Sequence, residues 1–158
     1  YIYRQEEHHG TAFDELHDGS NLPELLGMRM GSPWLVPRVR AVHPRLTRAM
    51  LLDWLGAPDL DEAPLDVRYL VDAAAAAWGI ASLEGCARAH IRARRVAVHM
   101  HDRLVPGGDA SAALGIPSRV VARYRSDAVG PAELRAVELQ IKLRGIVDRR
   151  RGPGDVIR

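Results

Sequence analysis

The sequence predicts an all-α protein: a single compact helical domain of about five or six helices preceded by an irregular N-terminal arm. Three observations carry that expectation. From Pro44 onward, proline and glycine alternate in the order that opens and closes helices, proline in the first turn and glycine just past the last. Between those marks apolar residues recur at three- and four-residue spacing, and no period-two run extends beyond a few residues. Aromatic residues make up only 5% of the chain, with a single Phe, so the core must be built from Ala, Leu, Val and Ile, which suits close-packed helices. At 158 residues the chain is long enough for one domain with a core of its own.

Residues 1–43 form the expected arm. They carry polar turn signals such as Asp18-Gly19-Ser20-Asn21 and Gly31-Ser32-Pro33, with short helices expected only around 13–16 and 22–26. The helical domain spans 44–151 and a tail covers 152–158. Its first helix is read over 44–55 and stopped by Gly56, with Leu51, Leu52, Trp54 and Leu55 turned inward. An acidic connector, 57–63, is expected to be solvated. The second helix, 64–78, ends on Gly79 and contains the alanine run 73–77, small enough for a neighbouring helix to approach closely. A third helix is read over 82–105, capped by Ser82 with Glu84 in its first turn and stopped by Pro106-Gly107-Gly108. Leu83, Ala87, Ile91, Val98 and Val105 are expected to face the core, with Arg94 paired to an acid of another helix. Two short helices, 109–114 and 118–124, are joined by Gly115-Ile116-Pro117. A long last helix runs from Gly130-Pro131 to about Arg149. Its apolar rows, Ala136-Leu139-Leu143-Val147 and Leu134-Val137-Ile141, make a face wide enough for more than one neighbour.

Signals for chemistry are sparse. No Gly-x-Ser-x-Gly elbow or phosphate-binding glycine loop is present, so no enzyme is expected. Cys86 is the only cysteine, which excludes an intrachain disulfide and a cysteine-based zinc site, and a buried thiol is expected there. His8, His9 and His17 lie near Asp14 and Glu15, but His8 and His9 cannot share a helical face. His99 and His101, two apart, point away from one another and read as surface or interface groups. No metal or cofactor is expected. The longest apolar stretch, 71–80, is far short of the roughly 20 residues of a membrane span. The chain starts at Tyr1 without a Met, so a trimmed or processed product is expected, with no signal peptide in what remains.

The charge pattern says more. The net charge is +2 and Lys142 is the sole lysine, so nearly all cations are arginines, through codon bias or through a need for bidentate contacts. Arg88, Arg92, Arg95, His99 and Arg103 follow at spacings of four, three, four and four, which places them on one face of the third helix. This stripe is either a solvated face or a surface for an acidic protein partner or nucleic acid. Residues 110–126 follow helix-turn-helix grammar, with Arg119, Arg123 and Arg125 on the second helix as candidate nucleic-acid contacts.

From Val42 to Leu114 the order of features resembles the SctK family, helical accessory proteins of the type III secretion sorting platform. His43-Pro44-Arg45-Leu46 precedes a Leu/Trp-rich helix, Leu70 leads to Trp78-Gly79, and Gly85-Cys86-Ala87-Arg88 with Ile91 opens an amphipathic stretch that ends at Ala113-Leu114. The resemblance implies a non-enzymatic cytoplasmic adaptor, peripheral to an inner-membrane complex, linking the cytoplasmic domain of a ring protein to the pod protein. The expected function is therefore an adaptor within a larger assembly, with the stripe as its contact surface. A helix-turn-helix DNA-binding regulator is the alternative.

Overall fold

A computed structural model describes residues 21–31 and 33–151 of the chain. The arm before Asn21, its expected helix at 13–16, His8, His9, His17, Asp14 and Glu15, and the tail 152–158 lie outside the described residues. Among the described residues there are eight α-helices and no strand: α1 (Leu22–Leu25), α2 (Leu35–Val42), α3 (Arg48–Trp54), α4 (Leu70–Ala77, entered through a 3-10 turn at Val67–Tyr69), α5 (Arg88–Leu104), α6 (Ala110–Leu114), α7 (Ser118–Ser126) and α8 (Pro131–Arg151). The protein is all-α, as its punctuation predicts.

α8 organises the rest. Its two apolar rows serve two different hydrophobic clusters. Ala136, Val137 and Ile141 join α4, α5, α6 and α7 in one. Leu139, Leu143, Ile146 and Val147 join α1, α3 and the segment around Leu60 in the other. Burying each such side chain is worth about 1.5–3 kcal/mol relative to leaving it exposed. The alanine run works as its size suggests. Ala73, Ala74 and Ala77 of α4 are fully buried beside Ala93 and Ala97 of α5, so the α4 and α5 backbones approach closely.

Polar groups tie the loops to this spine. The Gln140 amide, buried on α8, donates to the Met28 carbonyl at 3.2 Å, and the Met30 N–H donates to the Ala77 carbonyl at 2.7 Å. Leu22, Leu26 and Met28 are core residues. Residues 22–30 are therefore part of the packed domain, and position 43 does not separate an arm from it; the helix expected around 22–26 is α1. The acidic connector is not simply solvated either. Arg48 grips Asp61 through two hydrogen bonds of 3.1 and 2.9 Å, Arg135 of α8 reaches the same carboxylate at 2.6 Å, and Lys142 donates to the Asp61 carbonyl at 2.6 Å.

Three element boundaries differ from expectation, each through a stronger local competitor. Pro44 sits in a turn, and α3 begins after Thr47, whose hydroxyl accepts from the Met50 N–H. Asp66 caps the 3-10 turn that leads into α4, so that helix starts six residues after Pro64. The third helix starts at Arg88, not Ser82. Ser82 Oγ accepts only from Glu84 N–H in a bend, and Gly85 at φ +130° breaks any helix there. Ala87 and Ile91 are exposed in consequence, and the inward face of α5 is Ala93, Val96, Ala97 and Met100. Leu83 and Val98 are buried as expected, and Val105 is half-buried.

Leu143→Ala should cost about 2–5 kcal/mol in chemical denaturation, with both clusters lost in one transition because α8 is common to them. The Arg48 hydrogen bond, helped by the nearby Arg135 and Lys142 charges, holds the Asp61 carboxyl below its ordinary range. Its contribution is therefore complete above the unfolded value, near pH 4, and is lost as pH falls through the lowered one. Asp61→Asn should cost about 0.5–1 kcal/mol at neutral pH, a small figure because the pair is partly solvated, and should flatten the acid limb of a stability–pH curve.

Candidate nucleic-acid interface

The unit formed by α6 and α7 is specified locally. Asp109 caps α6 by accepting from the Ser111 and Ala112 N–H groups at 2.9 and 3.2 Å. Gly115 ends it in the left-handed conformation at φ +64°, which a residue with a Cβ adopts only at a cost. Ile116 and Pro117 complete a three-residue turn. The turn is held by Ser111 Oγ donating to the Ile116 carbonyl at 2.6 Å and by Ser118 Oγ donating to Ser111 Oγ at 3.1 Å. Ala110, Leu114, Ile116, Val121 and Tyr124 drop into the cluster shared with α5. The arrangement is a helix-turn-helix seated on a third helix.

α5 grips the end of α7 through three contacts. His99 Nε2 lies 2.9 Å from the Tyr124 carbonyl and 3.1 Å from the Asp127 carbonyl. Both partners only accept, so that nitrogen carries the proton, and the ring caps the C-terminus of α7. Asp102 takes two hydrogen bonds from Arg125, both 2.8 Å, and the guanidinium holds its carboxyl below the ordinary range. Arg95 lies 3.9 Å from Asp127.

These contacts settle where each anticipated site residue stands. Of the stripe, Arg95 and His99 are turned onto α7 and the segment after it, and Arg103 lies 3.8 Å from Glu138 of α8. Only Arg88 and Arg92 have neither an ion pair nor a side-chain hydrogen bond among the described residues. The five do share one side of α5, but most of that side faces the protein itself. On α7, Arg125 is bound to Asp102, while Arg119 and Arg123 are exposed with no acid within ion-pair distance among the described residues. The Arg123 guanidinium lies 5.3 Å from the centroid of the Tyr124 ring. Arg94 meets the Leu83 carbonyl at 3.1 Å, not an acid. His101 is buried, 3% exposed, because it follows Ala93 and Ala97 at four-residue spacing on the core face. Cys86 is exposed, since it precedes the start of α5. Asp102 went unrecognised as a site residue; its only sequence signal was an acid within a basic helix.

Pocket chemistry has little support. A cavity of about 440 Å³ is lined by Leu65, Arg68, Tyr69, Gly145, Asp148 and Arg149, but Arg68 is paired with Asp66 and the Tyr69 hydroxyl donates to Asp148. Among the described residues, no three His, Cys, Asp or Glu side chains are grouped to hold a metal, and no helix is long and apolar enough to cross a membrane. No family model, no curated protein and no solved structure matches this chain.

Gly115→Ala should cost about 1–2 kcal/mol in urea denaturation through backbone conformation, because a Cβ there would meet no atom within 4 Å.

Proposed function

We propose that this chain binds duplex DNA, with α7 as the helix that enters the major groove. The observation that carries the reading is the α6–turn–α7 unit held on α5, which leaves Arg119 and Arg123 exposed without acidic partners among the described residues while Arg125 is tied to Asp102. Helix-turn-helix proteins present the N-terminal residues of the second helix to base edges; Arg119 is the second residue of α7 and Arg123 lies one turn further on, just past its midpoint. A net charge of +2 spread over the molecule does not oppose this, because the exposed face of α7 itself carries no acid.

Titration of a fluorescent duplex against salt tests it. Log affinity should fall linearly with log salt, as displacement of counterions requires. Arg119→Glu with Arg123→Glu should lower affinity at least about tenfold with helicity unchanged. Absence of binding at about 50 mM salt would remove this function.

A second reading, the adaptor role implied by the SctK resemblance, is favoured by a different surface. α2 buries none of its residues, and next to it Trp34 is 61% exposed, with Val42 at 66%. With Arg38 and Arg40 on the same helix, this surface suits an acidic protein partner. Both readings place the chain in the cytoplasm. Capture of such a partner should fail in Trp34→Ala and survive the α7 reversals, a pattern opposite to that of DNA binding.

A further inference from the structure

We infer that α7 reads guanines: two G·C base pairs, adjacent or one pair apart, in the major groove of the duplex. This rests on the DNA-binding reading and specifies its ligand. The exposed side of α7 is made of Arg119, Ala122, Arg123 and Ser126, with Ser118 at its edge. At 100° per residue the first four fall within about 100° of one another, while Val121 and Tyr124 point to the core and Arg125 turns towards Asp102.

The composition of that side limits what it can read. Adenine is recognised by Asn or Gln, and cytosine by Asp or Glu. The sequence Ser-Arg-Val-Val-Ala-Arg-Tyr-Arg-Ser contains none of these. What remains is arginine, whose guanidinium matches the paired O6 and N7 acceptors of guanine, alanine, whose methyl can meet a thymine methyl, and serine, which can bond to any base and so selects none. Both arginines are available, because neither has an acid within ion-pair distance among the described residues. Arg123 is also partly ordered before binding, with its guanidinium near the face of the buried Tyr124 ring.

The spacing follows from geometry. Residues four apart on a helix are about 6 Å apart along its axis, and stacked base pairs are about 3.4 Å apart. A helix in the major groove is inclined to the duplex axis, and zinc-finger positions −1, 3 and 6 read successive bases, so Arg119 and Arg123 span about one to two base-pair steps. Arg125, held to Asp102 by two hydrogen bonds on the flank of this face, takes no part in reading.

Selection from a pool of duplexes with a randomised ten-base-pair centre tests the inference, using the whole chain as wild type, Arg119→Ala and Arg123→Ala. Circular dichroism and thermal melting confirm that each variant is folded; both sites are exposed. The expected result is a wild-type motif with two G·C pairs that are adjacent or one pair apart. Each variant should lose preference at one of them, by roughly tenfold or more in discrimination, while keeping it at the other. A motif without that pair of G·C positions, or variants that weaken every duplex equally, would overturn the guanine reading and leave DNA binding intact. Retention of no duplex by the wild type would overturn the DNA-binding function and the guanine reading with it.

Discussion

Burial of α8 on two sides is the constraint on which the other features depend. Ala136, Val137 and Ile141 complete one cluster, and Leu139, Leu143, Ile146 and Val147 complete the other. A helix that must satisfy two cores cannot rotate or slide without exposing one of them. The polar ties follow the same spine: Gln140 holds Met28, and Arg135 and Lys142 hold Asp61. Loops that look irregular in sequence acquire fixed positions because α8 carries polar groups at the edges of its apolar rows.

Rigidity at α8 passes to α5, and from α5 to α7. α5 packs on α8 through the same cluster that receives Val121 and Tyr124 from α7. Apolar contact alone would leave α7 free to slide. His99 and Asp102 add direction, one at the C-terminal carbonyls of α7 and one at the Arg125 guanidinium. The outcome is a short helix fixed at both ends, by the Ser111–Ser118 hydrogen bond at one and by α5 at the other, with one face turned outward. A binding site of this kind needs no cavity, and in the cavity near Tyr69 the Arg68 guanidinium is paired with Asp66 and the Asp148 carboxylate with the Tyr69 hydroxyl.

Legibility in the sequence followed the range of the interactions that decide each feature. α6, α7 and α8 were readable because their limits are set by Asp109, Gly115, Pro117 and Gly130-Pro131, all within a few residues of the ends they define. The start of α5 was misread because Ser82 looks like a cap, whereas Gly85 three residues later ends any helix begun there. The stripe was seen correctly as one face of a helix. Its fate was not legible, since Asp127 and Glu138 come from later elements that only the tertiary fold brings alongside. Likewise, nothing near Asp61 announces that Arg48 and Arg135 converge on it. The α6–α7 pair was legible as a motif; that Arg125 is held inside the fold was decided by Asp102, a residue of another helix.

The most direct measurement is mapping of backbone amide shifts by nuclear magnetic resonance as a duplex is added to the full chain. The account predicts perturbations concentrated at 111–126, largest at Ser118–Arg123, with α2, α3 and the Tyr69 cavity unaffected. Shifts confined to α2 or spread evenly over every basic surface, with α7 unmoved, would contradict it.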